Sequence, residues 1–159
     1  MPQKTPEIFL DTSVIIAALF SSTGGARMLF LLGEADAITL IVGKIVLEEA
    51  DNVLLRKKPK LRASLARLLN EAKVRIGDSH SDEAQNKAVL LMDYAPDAQV
   101  LAEAIQANPD WFVSHDRQHF LNNPDLADLS FQIGSPGDVL AWIRKRLKSS
   151  ENLWLFSGN

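Results

Sequence analysis

Several acidic residues stand where their carboxylates could act together on a metal ion or a phosphate. Asp11 directly follows the apolar run IFL, and Asp116 follows the apolar run WFV after Ser114 and His115. Short apolar runs of this kind are typical of buried strands. The carboxyl ends of parallel strands meet at one edge of a sheet, where ligands bind. We therefore expect Asp11 and Asp116 to face the same edge.

Two more carboxylates belong to predicted helices. Asp97 follows a proline at the start of a helix, where a carboxylate either caps free backbone N–H groups or turns outward to a ligand. Both interpretations stay open. In the neighbouring pair Glu48 and Glu49, helical spacing places Glu49 four residues from an apolar residue on either side, so Glu49 borders the apolar face. We expect Glu49 to be the inward-facing member of the pair.

A cluster of these carboxylates favours a hard divalent cation. Burying a carboxylate without a partner is costly, and neighbouring carboxylates raise one another's pKa. A divalent ion turns that repulsion into binding, and oxygen ligands favour Mg²⁺ or Mn²⁺ over Zn²⁺. The chain has no cysteine, which excludes thiol nucleophiles, disulfides and Cys-ligated metals.

The composition is that of one globular domain. The chain has 159 residues, of which 47% are hydrophobic and 23% charged, with a formal net charge of −3. This charge argues against binding nucleic acid by overall positive potential, so any such contact must be local or mediated by metal. No apolar stretch reaches the roughly 20 residues that span a bilayer, and the start MPQKTPE lacks a secretory signal pattern, so we expect a cytoplasmic protein without membrane contact.

Strands and helices alternate along the chain, which predicts an α/β fold, a three-layer α/β/α sandwich with a central, mostly parallel sheet. We expect a single domain over residues 1–148 and a C-terminal tail over residues 149–159. The tail includes the apolar residues Trp154, Leu155 and Phe156, which either pack on the domain or contact a partner. Predicted strands are residues 8–10, 38–42, 74–76, 111–113 and 130–133, and predicted helices are residues 14–32 with a break at 21–25, 44–58, 60–71, 84–92, 96–107, 117–121 and 136–147.

Three segments resemble, in order, the three acidic motifs of PIN-domain ribonucleases: IFLDTSVIIAAL, VGKIVLEEADNVL and PDAQVLAEAIQANPDWFVSHDRQHFL. The resemblance extends over about residues 8–139. Within the family, this part of the chain is similar to bacterial PIN proteins described as VapC-like toxins. In this resemblance the Asp of the first motif matches Asp11, the Glu of the VLxE element matches Glu49, the Asp that opens the helix of the third motif matches Asp97, and the Asp of the S-x-D turn matches Asp116.

The resemblance implies a metal-dependent ribonuclease that hydrolyses RNA phosphodiester bonds. One or two Mg²⁺ or Mn²⁺ ions would bind Asp11, Asp97 and Asp116, with Glu49 directly or through water. Ser13 and Ser114 would orient these groups or the substrate by hydrogen bonds rather than act as nucleophiles. The resemblance further implies a toxin of a type II toxin–antitoxin module, inhibited by an antitoxin protein, and a homodimer.

The chain departs from the family pattern at several positions. His115 stands where the family usually has Gly, and Gly43 where a Ser or Thr often precedes the VLxE helix. The third motif often carries an additional acid, for which Asp93 is the candidate, although its position at a helix end favours a solvated side chain. These departures leave a catalytically silent PIN-like module that binds RNA or protein as the main alternative.

Other interpretations rest on fewer residues. An aspartyl-phosphate enzyme with Asp11 as nucleophile would carry a second Asp where Ser13 stands. His115 and His119 have a zinc-compatible spacing but no further ligand motif. Basic clusters at residues 56–62 and 144–148 are either solvated helix faces or phosphate contacts, and the first is the better candidate for contacting RNA.

Overall fold

Five short strands pair in parallel in one sheet. This computed structural model describes residues 4–157 and the side chains of residues 4–151. The predicted α/β/α fold with a central parallel sheet is confirmed. The strands are β1 (Glu7–Leu10), β2 (Thr39–Val42), β3 (Arg75–Ile76), β4 (Trp111–Val113) and β5 (Gln132–Gly134). Their order in the sheet is β3-β2-β1-β4-β5.

Helices connect consecutive strands and cover both faces of the sheet. Because parallel crossovers are right-handed, the helices that lead from β1 to β2 and on to β3 lie on one face, and those between β3 and β4 lie on the other. The last helix follows β5 and packs against the second helix. The helices are α1 (Thr12–Phe20), α2 (Gly25–Glu34), α3 (Lys44–Lys57), α4 (Arg62–Glu71), α5 (Asp82–Leu91), α6 (Ala95–Ala107) and α7 (Pro136–Ser157), with short helical turns at Pro59–Leu61, Arg117–Leu121 and Pro124–Leu126.

The sequence-based boundaries differ from the structure mainly near the C-terminus. The last helix was expected to end at Leu147, but α7 continues to Ser157. The hydroxyls of Ser149 and Ser150 donate to carbonyls one turn earlier, at 3.1 Å each, so they do not break the helix. The side chains of Trp154, Leu155 and Phe156 lie outside the described residues, and the division into a domain and a tail stays a prediction.

Strand β1 lies at the centre of the sheet and of the core. Its residues Ile8, Phe9 and Leu10 are fully buried. The ring of Phe9 stacks on that of Phe112 in β4, with 5.7 Å between centroids, and Phe112 contacts Phe120 beyond the end of β4 at 4.8 Å. This aromatic packing holds together the two strands that precede Asp11 and Asp116.

Within residues 4–157 no single helix is long and apolar enough to cross a membrane. Helices α1 and α2 meet such a criterion only as a pair bent by 93°.

Candidate metal centre

The register of the two central strands places Asp11 beside Ser114. Leu10 is paired with Val113 at the carboxyl ends of β1 and β4, and the next residues along these strands are Asp11 and Ser114. The backbone N–H of Asp11 donates to the carbonyl of Val113 at 3.0 Å. Both side chains are buried, with exposed fractions of 8% for Asp11 and 0% for Ser114. The predicted position of Asp11 at the carboxyl edge is therefore the observed one.

Two serine hydroxyls fix the Asp11 carboxylate. Oδ2 of Asp11 accepts from Ser114 Oγ at 2.7 Å and from Ser13 Oγ at 3.1 Å. Each hydroxyl also accepts a backbone N–H, Ser114 Oγ from Asp116 at 2.9 Å and Ser13 Oγ from His115 at 3.1 Å. Burial raises the pKa of Asp11, while these hydrogen bonds act in the opposite direction. The hydroxyls thus orient Asp11 and tie it to the loop that carries Asp116.

Asp116 and His119 form a pair at the start of the turn Arg117–Leu121. Oδ1 of Asp116 accepts the backbone N–H of His119 at 3.0 Å, and Oδ2 lies 2.9 Å from the ring Nδ1 of the same residue. Burial raises the pKa of Asp116, but the contacts with His119 outweigh it and leave that pKa below its usual value. The hydrogen bond with Asp116 raises the pKa of His119. The protonated imidazole is therefore more stable beside an ionised Asp116 than it would be on a free histidine.

Asp97 faces the same cluster from the first turn of α6. The N-cap position of α6 belongs to Tyr94, so the interpretation of Asp97 as the capping residue is wrong. Its Oδ2 is buried, lies 3.3 Å from His119 Nδ1, and has no hydrogen-bond partner among the described residues. The pKa of Asp97 is raised to about 6, chiefly by burial; the charges of Asp116, Asp11 and Glu49 act in the same direction, and that of His119 opposes them.

Glu49 lies at the open side of the cluster. Its Oε2 accepts from Thr12 Oγ1 at 3.1 Å, which links α3 to the first residue of α1. The expectation that Glu49 faces inward is only partly met, because the residue is exposed while its carboxylate is directed to α1. Glu49 is exposed because it borders a groove of about 610 Å³ between α3 and α6. The residues that line this groove are Ile45, Glu48, Glu49, Asn52, Leu55, Arg56, Pro96 and Gln99.

The cluster has the donor atoms and the charge that suit a divalent cation. Asp97, Asp116 and His119 each offer one ligand atom, and these atoms all lie within 4.8 Å of one another. The buried Oδ2 of Asp97 accepts no hydrogen bond among the described residues, because His119 Nδ1, at 3.3 Å, lies closer to Asp116 at 2.9 Å. A divalent cation would satisfy this oxygen. The carboxylate oxygens among these groups suit Mg²⁺ or Mn²⁺. The residues present therefore fit such an ion.

His119 and Thr12 were not singled out as neighbours of these carboxylates from sequence. A signal for His119 exists, because a histidine three residues after an N-capping Asp lies within reach of it. His115, whose spacing from His119 is compatible with zinc, is exposed and is not part of the described cluster of Asp97, Asp116 and His119. Asp93 is exposed in the bend between α5 and α6, as expected for a solvated side chain.

Comparisons with known proteins agree with this architecture. The family model of the PIN domain matches residues 7–118. No curated protein matches the chain significantly.

Solved structures share the fold at low identity. VapBC2 from Rickettsia felis, solved bound to a DNA fragment from its promoter, is 19% identical, with a TM-score of 0.61 over 80% of this chain and 98% of that chain. PAE2754 from Pyrobaculum aerophilum is 20% identical, with a TM-score of 0.56 over 88% and 90%. VapC20 from Mycobacterium tuberculosis, described as a toxin that cleaves the sarcin–ricin loop, is 19% identical, with a TM-score of 0.52 over 70% and 91%. The family match covers more than half of the chain and coincides with the strands that carry the acidic cluster, so the chain belongs to the PIN-domain family.

Proposed function

We propose that this protein is a Mg²⁺- or Mn²⁺-dependent endoribonuclease. The observation that carries the proposal is the buried, unpartnered Oδ2 of Asp97 among the carboxylates of Asp11, Glu49 and Asp116. Asp11, Glu49, Asp97 and Asp116 would hold the metal and form the catalytic centre. When bound, the ion supplies a Lewis acid that activates water and stabilises charge on the phosphate.

The residues around the cluster have distinct roles in this proposal. Ser13 and Ser114 hold the Asp11 carboxylate in one orientation, and Thr12 does the same for Glu49. His119 stabilises the ionised form of Asp116, which is the form that binds metal. These contacts reduce the reorganisation that metal binding requires, because the ligand oxygens are already positioned.

The groove between α3 and α6 is the proposed path of the RNA strand. It adjoins the cluster at Glu49 and extends along α3 to Arg56. Arg56 and the following Lys57 and Lys58 form the only run of three consecutive cations on α3 and its C-cap, within the part of the chain that the structure describes. A positive group beside an acidic centre suits a phosphate backbone that must bridge the two.

We further propose that the protein is the toxin of a type II toxin–antitoxin module, with an antitoxin protein as partner, and forms a homodimer. Support comes from the structural neighbours, one of which is the VapBC2 complex and another the toxin VapC20. Exposed apolar side chains at the corner between α5 and α6 support a protein interface: Val89, Leu90 and Tyr94 are 54%, 87% and 58% exposed. The 1–148 domain would then carry all of these functions.

A catalytically silent RNA- or protein-binding module is the second candidate, favoured by one contact. His119 Nδ1 lies within 3.3 Å of Asp97 Oδ2 and 2.9 Å of Asp116 Oδ2, so a protonated ring partly neutralises the cluster by itself. A protein of this kind would bind RNA without metal-dependent turnover.

Cleavage of labelled RNA by the purified protein in Mg²⁺, Mn²⁺ or EDTA tests the proposal. Asp97→Asn and Asp116→Asn should each abolish metal-dependent cleavage, because each removes a proposed ligand. Asp93→Asn is the matched control, since Asp93 is an exposed aspartate four residues from Asp97, and it should retain activity. Cleavage that persists in EDTA or in both ligand variants would contradict the proposed site, and RNA binding without cleavage in any metal would favour the silent module.

A further inference from the structure

A buried glutamate outside the acidic cluster joins the two helices that carry Glu49 and Asp97. Glu103 lies on α6, six residues after Asp97, and is only 3% exposed. Both of its carboxylate oxygens accept the backbone N–H of Ile45, at 3.1 Å each, in the first turn of α3. The N–H groups of Val46 and Lys44 also stabilise this carboxylate. A side chain of α6 therefore satisfies the free N–H groups at the start of α3.

Gly43 makes room for this contact. It is the N-cap residue of α3, with φ −75° and ψ 160°, a conformation that any residue adopts. Position 43 requires glycine because there is no room for a side chain: a Cβ there would lie 2.5 Å from Glu103 Cδ and 2.8 Å from Glu103 Oε2. At the position where a Ser or Thr would normally cap the helix, this chain therefore has a glycine and a carboxylate supplied from another helix.

The cap from α6 differs from a local cap in what it connects. A Ser at position 43 would only bind the free N–H groups at the start of α3. Glu103 binds them too, and it also fixes the start of α3 relative to α6. Glu49 follows Gly43 by six residues, and Asp97 precedes Glu103 by six residues. The contact thus sets the distance between two proposed ligands from opposite sides of the groove.

We propose that Glu103 is a positioning residue of the metal centre, which holds α3 and α6 at the spacing that lets Glu49 and Asp97 bind the same ion. This inference rests on the proposed function for the role of those two carboxylates. The capping contact itself exists independently of that function, and the two can be tested separately.

The first test measures Mn²⁺ affinity by calorimetry and amide hydrogen exchange of α3 in the full chain. Glu103→Ala should weaken Mn²⁺ binding roughly tenfold, as is typical when a partner that orients metal ligands is lost. The amides of the first turn of α3 should exchange faster with or without metal, because their acceptor is gone. Glu103→Gln, which keeps one carbonyl acceptor and the side-chain volume, should lie between the parent and Glu103→Ala.

Ser81→Ala is the matched control for a general loss of stability. The hydroxyl of Ser81 caps α5 by accepting the N–H of Ala84 at 3.2 Å, and α5 carries none of the proposed ligands. Its removal is also the loss of one helix cap, and it should lower the melting temperature without changing Mn²⁺ affinity. An equal loss of Mn²⁺ affinity in Ser81→Ala would overturn the positioning role.

The effect of Gly43→Ser on stability should change sign when Glu103 is also replaced. Gly43→Ser alone should damage the protein, because its Cβ collides with Glu103. In Glu103→Ala the same substitution should fill the vacated space and restore a local cap, so that α3 amide protection recovers while Mn²⁺ affinity recovers only in part. This separation of protection from affinity is expected only if the link to α6 matters.

The outcomes separate the inference from the proposed function. If the parent binds Mn²⁺ and Glu103→Ala binds it equally well, the inference is wrong and the proposed function stands. If the parent neither binds Mn²⁺ nor cleaves RNA, the proposed function and the positioning role both fail. Should Glu103→Ala not fold, Glu103→Gln and the double variant decide by the same two readouts.

Discussion

Asp97 is a carboxylate whose burial disfavours the ionised form, although the proposed metal binding requires that form. Its buried Oδ2 has no hydrogen-bond partner among the described residues, and its pKa is raised to about 6 by burial, with further contributions from three neighbouring carboxylates. A group with a raised acid pKa binds its proton more tightly in the folded than in the unfolded protein. Its contribution to stability therefore falls as the pH rises from about 4 to about 6. At neutral pH the ionised Asp97 is therefore unfavourable for the folded state, and a bound cation would offset this cost.

Replacing this charge should separate stability from metal binding. Asp97→Asn should stabilise the metal-free protein on the order of 2 kcal/mol at neutral pH, since it removes an ionised group whose pKa burial raises to about 6. The same variant should lose metal binding. Thermal melts in EDTA and in Mn²⁺ measure both effects: Mn²⁺ should raise the melting temperature of the parent only. Asp93→Asn, as the exposed control, should change neither melt, and a destabilised metal-free Asp97→Asn would contradict the electrostatic assignment.

Metal affinity should depend on pH through the same side chains. Asp97 must lose its proton to bind an ion, and the protonated ring of His119, whose pKa is raised by Asp116, repels one. Both effects make Mn²⁺ affinity rise with pH from about pH 5 upward, and the part near pH 6 comes from Asp97. His119→Gln should remove the part of this rise that comes from the imidazole and leave the part near pH 6, where Asp97 titrates. Calorimetric titrations across this range measure it, and an affinity independent of pH would exclude Asp97 as a ligand.

At the scale of elements, the parallel sheet made much of the site predictable from sequence. The runs IFL and WFV identified β1 and β4, and their parallel pairing places Asp11 and Ser114 at one edge. Contacts between distant segments were not predictable in the same way. Glu103 lies 58 residues from Ile45, and its capping role depends on how α6 packs against α3, which no local pattern encodes. A charged residue inside the apolar run VLAEAI is the one local sign that a partner must exist.

Helix α3 offers a second element-scale prediction, because it extends from Glu49 to the basic residues at its C-terminus. Arg56→Ala, made in the inactive Asp97→Asn background, should weaken RNA binding several-fold and reduce the slope of log affinity against log salt by about one. Arg144→Ala on α7 is the matched control from the second basic cluster, where Arg144 is also exposed. Filter binding at several salt concentrations measures both variants. An equal effect of the two substitutions would place the RNA elsewhere than in the groove.

At the scale of the whole molecule, the charge distribution limits how RNA can approach. The chain carries a net charge of −3, so long-range attraction does not bring a polyanion to its surface. In the proposed function, RNA binding would rely on the short basic end of α3 and on the metal, and both contributions are local. A second copy of the chain would add another basic segment and another metal centre to one assembly, and the gain from two linked sites exceeds that of either alone.

The exposed apolar corner between α5 and α6 provides the test of that assembly. Leu90, the most exposed large apolar residue of the described chain at 87%, is expected to be covered in a homodimer. Leu90→Glu should convert the protein to a monomer, because burying a carboxylate in an apolar contact costs several kcal/mol. Light scattering after gel filtration measures the mass at several concentrations. Leu31→Glu on α2, where Leu31 is 47% exposed, is the control and should leave the dimer intact. A parent that stays monomeric at every concentration would contradict the dimer, and a Leu90→Glu protein that remains dimeric would place the interface on another face.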